Sequence, residues 1–189
     1  MSQKIAVVGA GFIGRSWAMV FSKAGHHVSL YDIDPAALSE AMNLLEINLA
    51  DLESNGLISS KDDLLGRIQP YKTLEGAVEE AEWVQENALE NVQIKRELFS
   101  RMDELLPETT ILASSTSAIP CSDISNGMKG AGRIIVAHPA NPPYLLPIVE
   151  LSGAPETKDE IIFRAKELLE AADMEVITIN KEIKGFVLN

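Results

Sequence analysis

A glycine-rich turn close to the N-terminus constrains the fold of this chain more than any other feature. The turn Gly9-Ala10-Gly11-Phe12-Ile13-Gly14 follows a short apolar run at 4–8 and leads into a helical pattern that reaches about residue 23. In such a phosphate-binding unit the first glycine permits the tight turn, the second lets the backbone approach the phosphates, and the third lets the helix lie close to the strand. The sequence at 9–14 therefore predicts the first strand–helix unit of a Rossmann-type fold.

An acidic residue completes this pattern at the end of the second strand-like run. Asp32 follows 27–31, and no arginine comes directly after it. A carboxylate at this place accepts hydrogen bonds from the adenosine ribose and repels a 2′-phosphate, while free N–H groups at the helix N-terminus hold the pyrophosphate. These features predict NAD rather than NADP as the cofactor; the alternative is a structural turn without a ligand. The predicted cofactor contacts in this region are Gly9, Gly11, Phe12, Ile13, Gly14 and Asp32.

The rest of the chain alternates strand-like apolar runs with amphipathic helical patterns. We predict helices over about 13–23, 35–55, 91–106 and 157–172, a short helical piece after Ser60, and strands near 4–8, 27–31, 82–86, 110–114, 133–137, 147–151 and 174–178. This order predicts an α/β fold, a doubly wound and mostly parallel sheet, in one domain over 1–189. The segment 36–68 is a helical excursion after the second strand, longer than a minimal crossover.

Composition narrows the classes of function. The formal net charge of −12 argues against a nucleic-acid-binding protein or a protein of anionic membranes. No apolar run has the length of a membrane span, and the chain starts directly with its first strand, so we expect no targeting segment. The single cysteine, Cys121, excludes an intrachain disulfide and favours a reducing, cytoplasmic setting, with a buried structural thiol favoured over a nucleophile. No metal site is expected.

A histidine at the end of a buried strand is the first candidate for chemistry, in the region 133–152. His138 ends the run 133–137, a proline-rich turn follows, and Glu150 lies on the next strand twelve residues later. If the two strands lie side by side, Glu150 returns to hydrogen-bond the imidazole, which fixes its tautomer and raises its basicity. The alternative is a structural histidine at a strand end.

A loop rich in hydroxyl groups is the second candidate. Residues 114–118 follow the strand-like run 110–114 and include Ser117. Ligands of open α/β sheets lie at the carboxyl ends of the strands, so this loop, His138 and the glycine turn are expected at one edge. The alternative is a turn that caps the following helix.

These motifs, with the closing segment 185–189, resemble the NAD-binding N-terminal domain of the L-3-hydroxyacyl-CoA dehydrogenase family, and most closely its λ-crystallin and L-gulonate 3-dehydrogenase branch. The resemblance implies that His138 takes the proton from the 3-hydroxyl of the substrate and that Glu150 pairs with it. It implies that Ser117 and Asn189 are catalytic and bind the substrate. Asn141 would bind substrate and cofactor, as Ser117 does, and Glu90 and Lys95 would contact the cofactor beside the nicotinamide ribose. The alternative for Glu90 and Lys95 is ordinary helix-start chemistry.

The resemblance also implies what lies beyond this chain. Family members carry a second, mostly helical domain that dimerises and closes over the substrate, and 185–189 resembles the start of the link to it. That C-terminal domain is absent here, so we expect a homodimer for the full-length protein and, for this chain alone, NAD binding with little or no turnover.

The substrate is less constrained than the cofactor. In acyl-CoA enzymes of the family the helical excursion resembles a lysine-bearing arm facing CoA, but residues 36–60 contain four acids and no lysine or arginine. This favours a free 3-hydroxy acid of the gulonate type over an acyl-CoA such as 3-hydroxybutyryl-CoA, with a carnitine-type substrate third. The alternatives of another class are a crystallin-like structural protein and an NAD-sensing module. A lysine-based hydroxyisobutyrate-type dehydrogenase is disfavoured by the His–Glu pair.

Overall fold

The computed structural model describes residues 2–188 and is built on one eight-stranded sheet. The strands lie in the order β3-β2-β1-β4-β5-β6-β7-β8, and all neighbours are parallel except β6 and β7. Their bounds are β1 (Lys4–Val8), β2 (His27–Tyr31), β3 (Ile68–Tyr71), β4 (Trp83–Glu86), β5 (Ile111–Ser114), β6 (Ile134–Pro139), β7 (Ile148–Gly153) and β8 (Glu175–Ile179). The predicted doubly wound, mostly parallel sheet is confirmed.

Helices cover both faces of the sheet, so two cores form. Alternate residues of β1 point to opposite faces: Ile5 and Val7 join one apolar cluster, Ala6 and Val8 the other. The first cluster contains Trp17, Phe21, Leu45 and Leu169, and the second contains Leu74, Phe99, Met102 and Ile124. The helices are α1 (Phe12–Lys23), α2 (Pro35–Ser54), α3 (Lys61–Leu65), α4 (Leu74–Val78), α5 (Val92–Leu105), α6 (Cys121–Ser125) and α7 (Asp159–Ala171).

Local chemistry starts the long helix α2 at the predicted place. The Asp34 carboxylate accepts the Ala36 N–H at 2.9 Å, and Pro35 occupies the first turn, where its missing N–H costs nothing. The buried residues of α2 recur every three or four positions, at Leu38, Ala41, Leu45 and Leu49. The amphipathic pattern therefore reports a real buried face.

The predicted end of the helical excursion is wrong. The segment 36–68 is not helical to its end, because α3 stops at Leu65 and Ile68 begins the edge strand β3. Within β3 only Ile68 is buried, and Gln69 and Pro70 are exposed. An edge strand with a proline carries neither an apolar run nor an alternating pattern, so its signal is weak. The five-residue helices α4 and α6 also went unpredicted, while the seven predicted strands are confirmed to within two residues.

Neither a membrane-spanning helix nor a cluster of metal ligands is found in the described part of the chain. Within 2–188, no helix combines the length and the apolar character that crossing a membrane requires. In the same part of the chain, histidine, cysteine and acidic side chains form no group of three that could hold a metal ion.

Candidate active site

The glycine turn has the geometry that the sequence predicted. Gly9 has φ +96°, and a Cβ on it would lie 2.6 Å from the carbonyl oxygen of Asn87. A Cβ on Gly14 would lie 1.8 Å from the carbonyl oxygen of Gly9, so α1 touches the turn directly. A Cβ on Gly11, by contrast, would have no described atom within 4 Å outside its chain neighbours. Gly9 and Gly14 are thus required by packing, whereas Gly11 faces open space that a pyrophosphate can enter.

The N-terminus of α1 suits an anion. Its N-cap residue Gly11 offers no side-chain cap, and no acidic residue lies in the first turn. The first N–H groups of the helix and the positive end of its dipole therefore point at the opening above Gly11.

Asp32 lies beside this turn at the end of β2. Its Oδ2 accepts the Ala10 N–H at 2.7 Å, and its Oδ1 accepts the Asp34 N–H at 2.9 Å. The half-buried carboxylate thus holds the glycine turn and faces the same edge as Gly11. An open glycine backbone, an uncapped helix and a carboxylate at the second strand fit a dinucleotide, and NAD in particular. The individual contacts predicted for the turn, including Phe12 and Ile13, stay predictions.

The two strands that carry His138 and Glu150 lie side by side, which was the condition for their pairing. In the antiparallel pair β6–β7, His138 stands directly opposite Glu150. His138 Nδ1 lies 3.0 Å from Glu150 Oε2, with His138 8% exposed and Glu150 fully buried. Because a carboxylate only accepts, Nδ1 carries the proton and Nε2 keeps its lone pair in the neutral ring. The arrangement can hold a base in one tautomer.

The closing segment of the chain also reaches this pair, which sequence reasoning missed. Glu150 accepts the Val187 N–H at 2.8 Å on Oε1 and the Leu188 N–H at 3.2 Å on Oε2. The ring centroid of Phe186 lies 5.2 Å from that of His138. The one sequence signal was the resemblance of 185–189 to a family motif. Asn189, predicted as catalytic and substrate-binding, lies outside the described residues.

Glu90 holds the hydroxyl-rich loop after β5. Its Oε1 accepts the Thr116 hydroxyl at 2.6 Å and the N–H groups of Ser117 and Ala118 at 3.0 and 3.1 Å. Burial works to raise the pKa of Glu90, but the Thr116 hydroxyl, the Lys95 charge and the two N–H groups outweigh it and hold that pKa below its usual value. Glu90 therefore fixes, as an anion, the backbone of the loop that carries Ser117.

Lys95 lies beneath that loop rather than on its surface. Only 1% of Lys95 is exposed, and its Nζ lies 2.7 and 3.0 Å from the carboxylate oxygens of Glu86, which is fully buried. The same Nζ donates to the Ala88 carbonyl at 3.3 Å and lies 3.6 Å from Glu90 Oε2. The structure thus gives Lys95 an internal role at the site, and its contact with the cofactor stays a prediction.

Glu86 is a functional candidate that the sequence analysis passed over. It ends β4, and its carboxylate also accepts the Ala88 N–H at 2.7 Å and the Ser114 hydroxyl at 2.5 Å. Burial raises the pKa of Glu86 although Lys95 opposes that rise. An acid at the end of a buried strand was the available signal. Glu86 and Lys95 together tie the loop after β4 to the loop after β5.

Part of the hydroxyl-rich loop is structural, but it does not cap the following helix, because the N-cap residue of α6 is Pro120, which makes no side-chain cap hydrogen bond. The Ser115 hydroxyl accepts the indole N–H of Trp17 at 3.0 Å and the amide of Gln85 at 2.7 Å, and it lies 2.8 Å from Asn87 Oδ1. Ser117 is half-buried in the same loop, and Asn141 is exposed in the turn after β6. Both residues therefore lie at the sheet edge that holds the glycine turn.

Cys121 takes no part in this edge. It is 1% exposed, and its thiol donates to the Ile134 carbonyl at 3.3 Å. Burial raises the pKa of the thiol to about 12. A thiol held protonated and out of solvent is not a nucleophile, so the prediction of a buried structural cysteine is confirmed.

Known proteins are similar to this chain in sequence and in fold. The family model described as "3-hydroxyacyl-CoA dehydrogenase, NAD binding domain" matches residues 4–183. The chain is 36% identical to λ-crystallin of Oryctolagus cuniculus over 188 residues, 98% of this chain and 59% of that protein. It is 37% identical to L-carnitine dehydrogenase of Streptomyces griseus over 187 residues, 99% of this chain and 55% of that protein. The predicted similarity to the λ-crystallin branch is confirmed.

A solved structure agrees with the sequence relatives. The 3-hydroxybutyryl-CoA dehydrogenase of Escherichia coli K12 superposes with a TM-score of 0.90 and 28% identity, covering 94% of this chain and 38% of that one. The chain spans little more than half the length of the curated relatives it matches. The family model matches nearly the whole chain, and the chain belongs to the 3-hydroxyacyl-CoA dehydrogenase family as its NAD-binding domain.

Proposed function

We propose that the protein of which this chain is the NAD-binding domain is an NAD-dependent dehydrogenase that oxidises a 3-hydroxyl group to a 3-oxo group. The single observation that carries the proposal is the His138–Glu150 pair, joined at 3.0 Å, on the strand edge that also holds the glycine turn. An alcohol oxidation needs a base for the hydroxyl proton and an acceptor for the hydride. This edge offers the base beside a cofactor site.

Different residues of the chain have different roles in this reaction. NAD, when bound, accepts the hydride from the carbon that carries the hydroxyl. His138 Nε2 takes the hydroxyl proton, and Glu150 stabilises the imidazolium that results through Nδ1–H. The N–H groups at the start of α1 hold the pyrophosphate, and Asp32 receives the ribose hydroxyls. Ser117 and Asn141 hold the reacting oxygen and the nicotinamide side of the pocket, with Asn189 proposed beside them.

The substrate we propose is a free 3-hydroxy acid of the gulonate type. The arm formed by α2 and α3 supports this, because the acids of 36–60 are exposed. The first lysine after them, Lys61, lies 3.3 Å from Glu46 and 3.5 Å from Asp62. An acidic arm with a neutralised lysine repels the phosphates of CoA. Carnitine, named for one relative, is itself a free 3-hydroxy acid, which supports the same class; an acyl-CoA is the alternative.

A non-enzymatic role is the rival function, supported by the λ-crystallin relatives. A structural protein has no need of a buried His–Glu pair beside a cofactor turn, and burying Glu150 without function is costly. We further propose that the whole protein works in the cytoplasm, with a single buried thiol as the supporting feature. That it works as a homodimer is proposed from the family resemblance.

Calorimetric titration of this chain with NADH and with NADPH tests the cofactor part. We expect NADH to bind at least tenfold more tightly, because Asp32 repels the 2′-phosphate. Asp32→Arg should reverse or abolish that preference, while Asp34→Arg, next to it but outside the ribose position, should keep it. Equal binding of both nucleotides would contradict the assignment of Asp32.

Turnover tests the chemical part, in a chain of the length of the relatives, with free 3-hydroxy acids and their CoA esters as substrates. His138→Gln should lower kcat by about 10²–10⁴ with NADH affinity unchanged, the range for a lost general base. The matched control is His27→Gln, an exposed histidine on β2. Turnover of His138→Gln within a few-fold of the parent would remove His138 as the base.

A further inference from the structure

The segment Gly185–Leu188 lies against both members of the His138–Glu150 pair. We infer that this segment is a positioning element of the proposed base: Phe186 orients the imidazole, and the N–H groups of Val187 and Leu188 hold the carboxylate. The inference rests on the proposed function only where it calls His138 a base. The contacts themselves are tested without turnover.

The hydrogen bonds of Glu150 show why the segment is needed. Glu150 is fully buried, and its hydrogen-bond partners are the His138 ring and the two N–H groups of the segment. No lysine or arginine among residues 2–188 forms an ion pair with it. A buried carboxylate needs hydrogen-bond donors to replace the water it has lost, and peptide N–H groups are such donors. Two of these donors come from 37 and 38 residues further along the chain.

The backbone of the segment is bent into this position. Gly185 has φ +81° and Phe186 has φ +50°, so two consecutive residues adopt the left-handed conformation. For phenylalanine that conformation is unfavourable, because its Cβ crowds the following carbonyl oxygen. Such a residue persists when its surroundings over-determine it, and here the Phe186 ring rests on His138 with an angle of 31° between the planes.

A second contact fixes how the chain enters the segment. Between β8 and Gly185, Glu182 Oε1 accepts the N–H of Ser122, in the first turn of α6, at 2.7 Å. The side chains of Val187 and Leu188 are 67% and 42% exposed, although their N–H groups point inward. The backbone and the Phe186 ring, rather than the two aliphatic side chains, therefore make the contact with the pair.

The consequence concerns the tautomer of His138. With the segment in place, Oε2 of Glu150 faces Nδ1 and the Phe186 ring covers the imidazole. When the segment is displaced, the ring gains freedom to rotate and the carboxylate loses two donors at once. The base is thus complete only with residues 186–188 seated.

Nuclear magnetic resonance of this chain, labelled with ¹⁵N, tests the inference. In the parent chain we expect the amides of Val187 and Leu188 to exchange with solvent at least tenfold more slowly than unstructured amides. We expect the His138 ring nitrogens to report the Nδ1–H tautomer. The resonances of His138 are assigned by their loss in His138→Gln.

Three variants at the site and one control variant separate positioning from general stability. Phe186→Leu keeps an apolar side chain but should lower both the amide protection and the Nδ1–H tautomer signal, while Phe186→Tyr should restore both. The matched control is Phe163→Leu, an exposed phenylalanine on α7, which should leave both unchanged. Glu150→Gln keeps the shape of the side chain and should lower the protection of the Val187 and Leu188 amides.

The outcomes are distinct from those of the proposed function. Unprotected Val187 and Leu188 amides in the parent chain, or a Phe186→Leu spectrum of His138 equal to that of Phe163→Leu, would overturn the inference. Protected amides in a chain that fails to bind NADH would instead overturn the proposed function and support the segment's contact with Glu150.

Discussion

At the scale of single residues, glycines of one turn are required for different reasons. Gly14 is required by packing within the protein, because a Cβ there would lie 1.8 Å from the carbonyl oxygen of Gly9. The space beside Gly11 is empty of described protein atoms, so we expect this glycine to be required for the approach of the cofactor rather than for packing. The sequence motif predicts different roles for the second and third glycines, and the space around them differs in the same sense.

Gly14→Ala and Gly11→Ala should therefore differ in stability. We expect Gly14→Ala to lower the free energy of unfolding by about 1–3 kcal/mol or more, the usual effect of overpacking, and to weaken NADH binding with it. The free energy of unfolding of Gly11→Ala should lie within about 0.5 kcal/mol of that of the parent. This variant should nevertheless bind NADH more weakly than the parent does. Denaturant unfolding and calorimetric titration measure the two effects. Equal stability of the two variants would refute the division of roles.

His26 gives a residue-scale prediction for pH. Burial lowers the pKa of His26, against the opposing effect of Glu82, and its Nδ1 accepts the Gln3 N–H at 3.1 Å. Because the pKa of His26 is lower in the folded state than in the unfolded state, its neutral side chain contributes to stability at pH values above the unfolded-state pKa. The contribution is lost as the pH falls towards the folded-state pKa.

The free energy of unfolding should accordingly fall as the pH drops from about 7 to 5, around the ordinary histidine range. In His26→Asn, which keeps an acceptor but does not titrate, that pH dependence should be shallower. His27→Asn, with an exposed side chain, is the matched control and should follow the parent. A parallel slope in all three chains would count against His26.

At the scale of elements, a buried ion pair joins β4, α5 and the loop after β5. Glu86 and Lys95 are 0% and 1% exposed, and the pair also holds Ser114 and the Ala88 backbone. Removing one member of a buried pair strands the other charge, whereas removing both does not. The pair is therefore tested by a double-mutant cycle.

Lys95→Met should lower the free energy of unfolding by about 3–5 kcal/mol, and Glu86→Gln combined with Lys95→Met should recover more than half of that loss. Lys166→Met, which removes an exposed partner of Glu170 on α7, should cost less than about 1 kcal/mol. Chemical denaturation of the parent chain, Lys95→Met, Glu86→Gln and the double variant gives the coupling energy. If Lys95→Met lowers the free energy of unfolding no more than Lys166→Met does, the Glu86–Lys95 pair does not stabilise the fold.

At the scale of the whole molecule, cofactor binding and folding are linked. NADH at 100 times its dissociation constant should add about 2.7 kcal/mol to the free energy of unfolding. For a chain of 189 residues this corresponds to a rise in Tm of about 5–10 °C. NADPH at the same concentration should raise Tm much less, and Gly11→Ala should reduce the rise in Tm that NADH produces. A Tm unchanged by NADH in calorimetry would contradict cofactor binding by this domain.

Much of the fold was predictable because it is encoded locally. The glycine turn, the Asp34–Pro35 start of α2 and the alternating apolar patterns each lie within a few residues of chain, so their physical causes are visible in the sequence. The edge strand β3 escaped prediction because an exposed proline-bearing strand has neither burial nor alternation to reveal it.

The site itself divides in the same way. From the sequence alone, a cofactor turn and a histidine at a strand end were expected at one edge of the sheet, and Glu150 was expected to reach that histidine on the condition that their strands lie side by side. The tertiary structure meets that condition. It also shows that Lys95 is buried against Glu86 and that the N–H groups of Val187 and Leu188 donate to Glu150. These contacts join residues of different elements, and the path of the chain, which no short pattern records, brings them together.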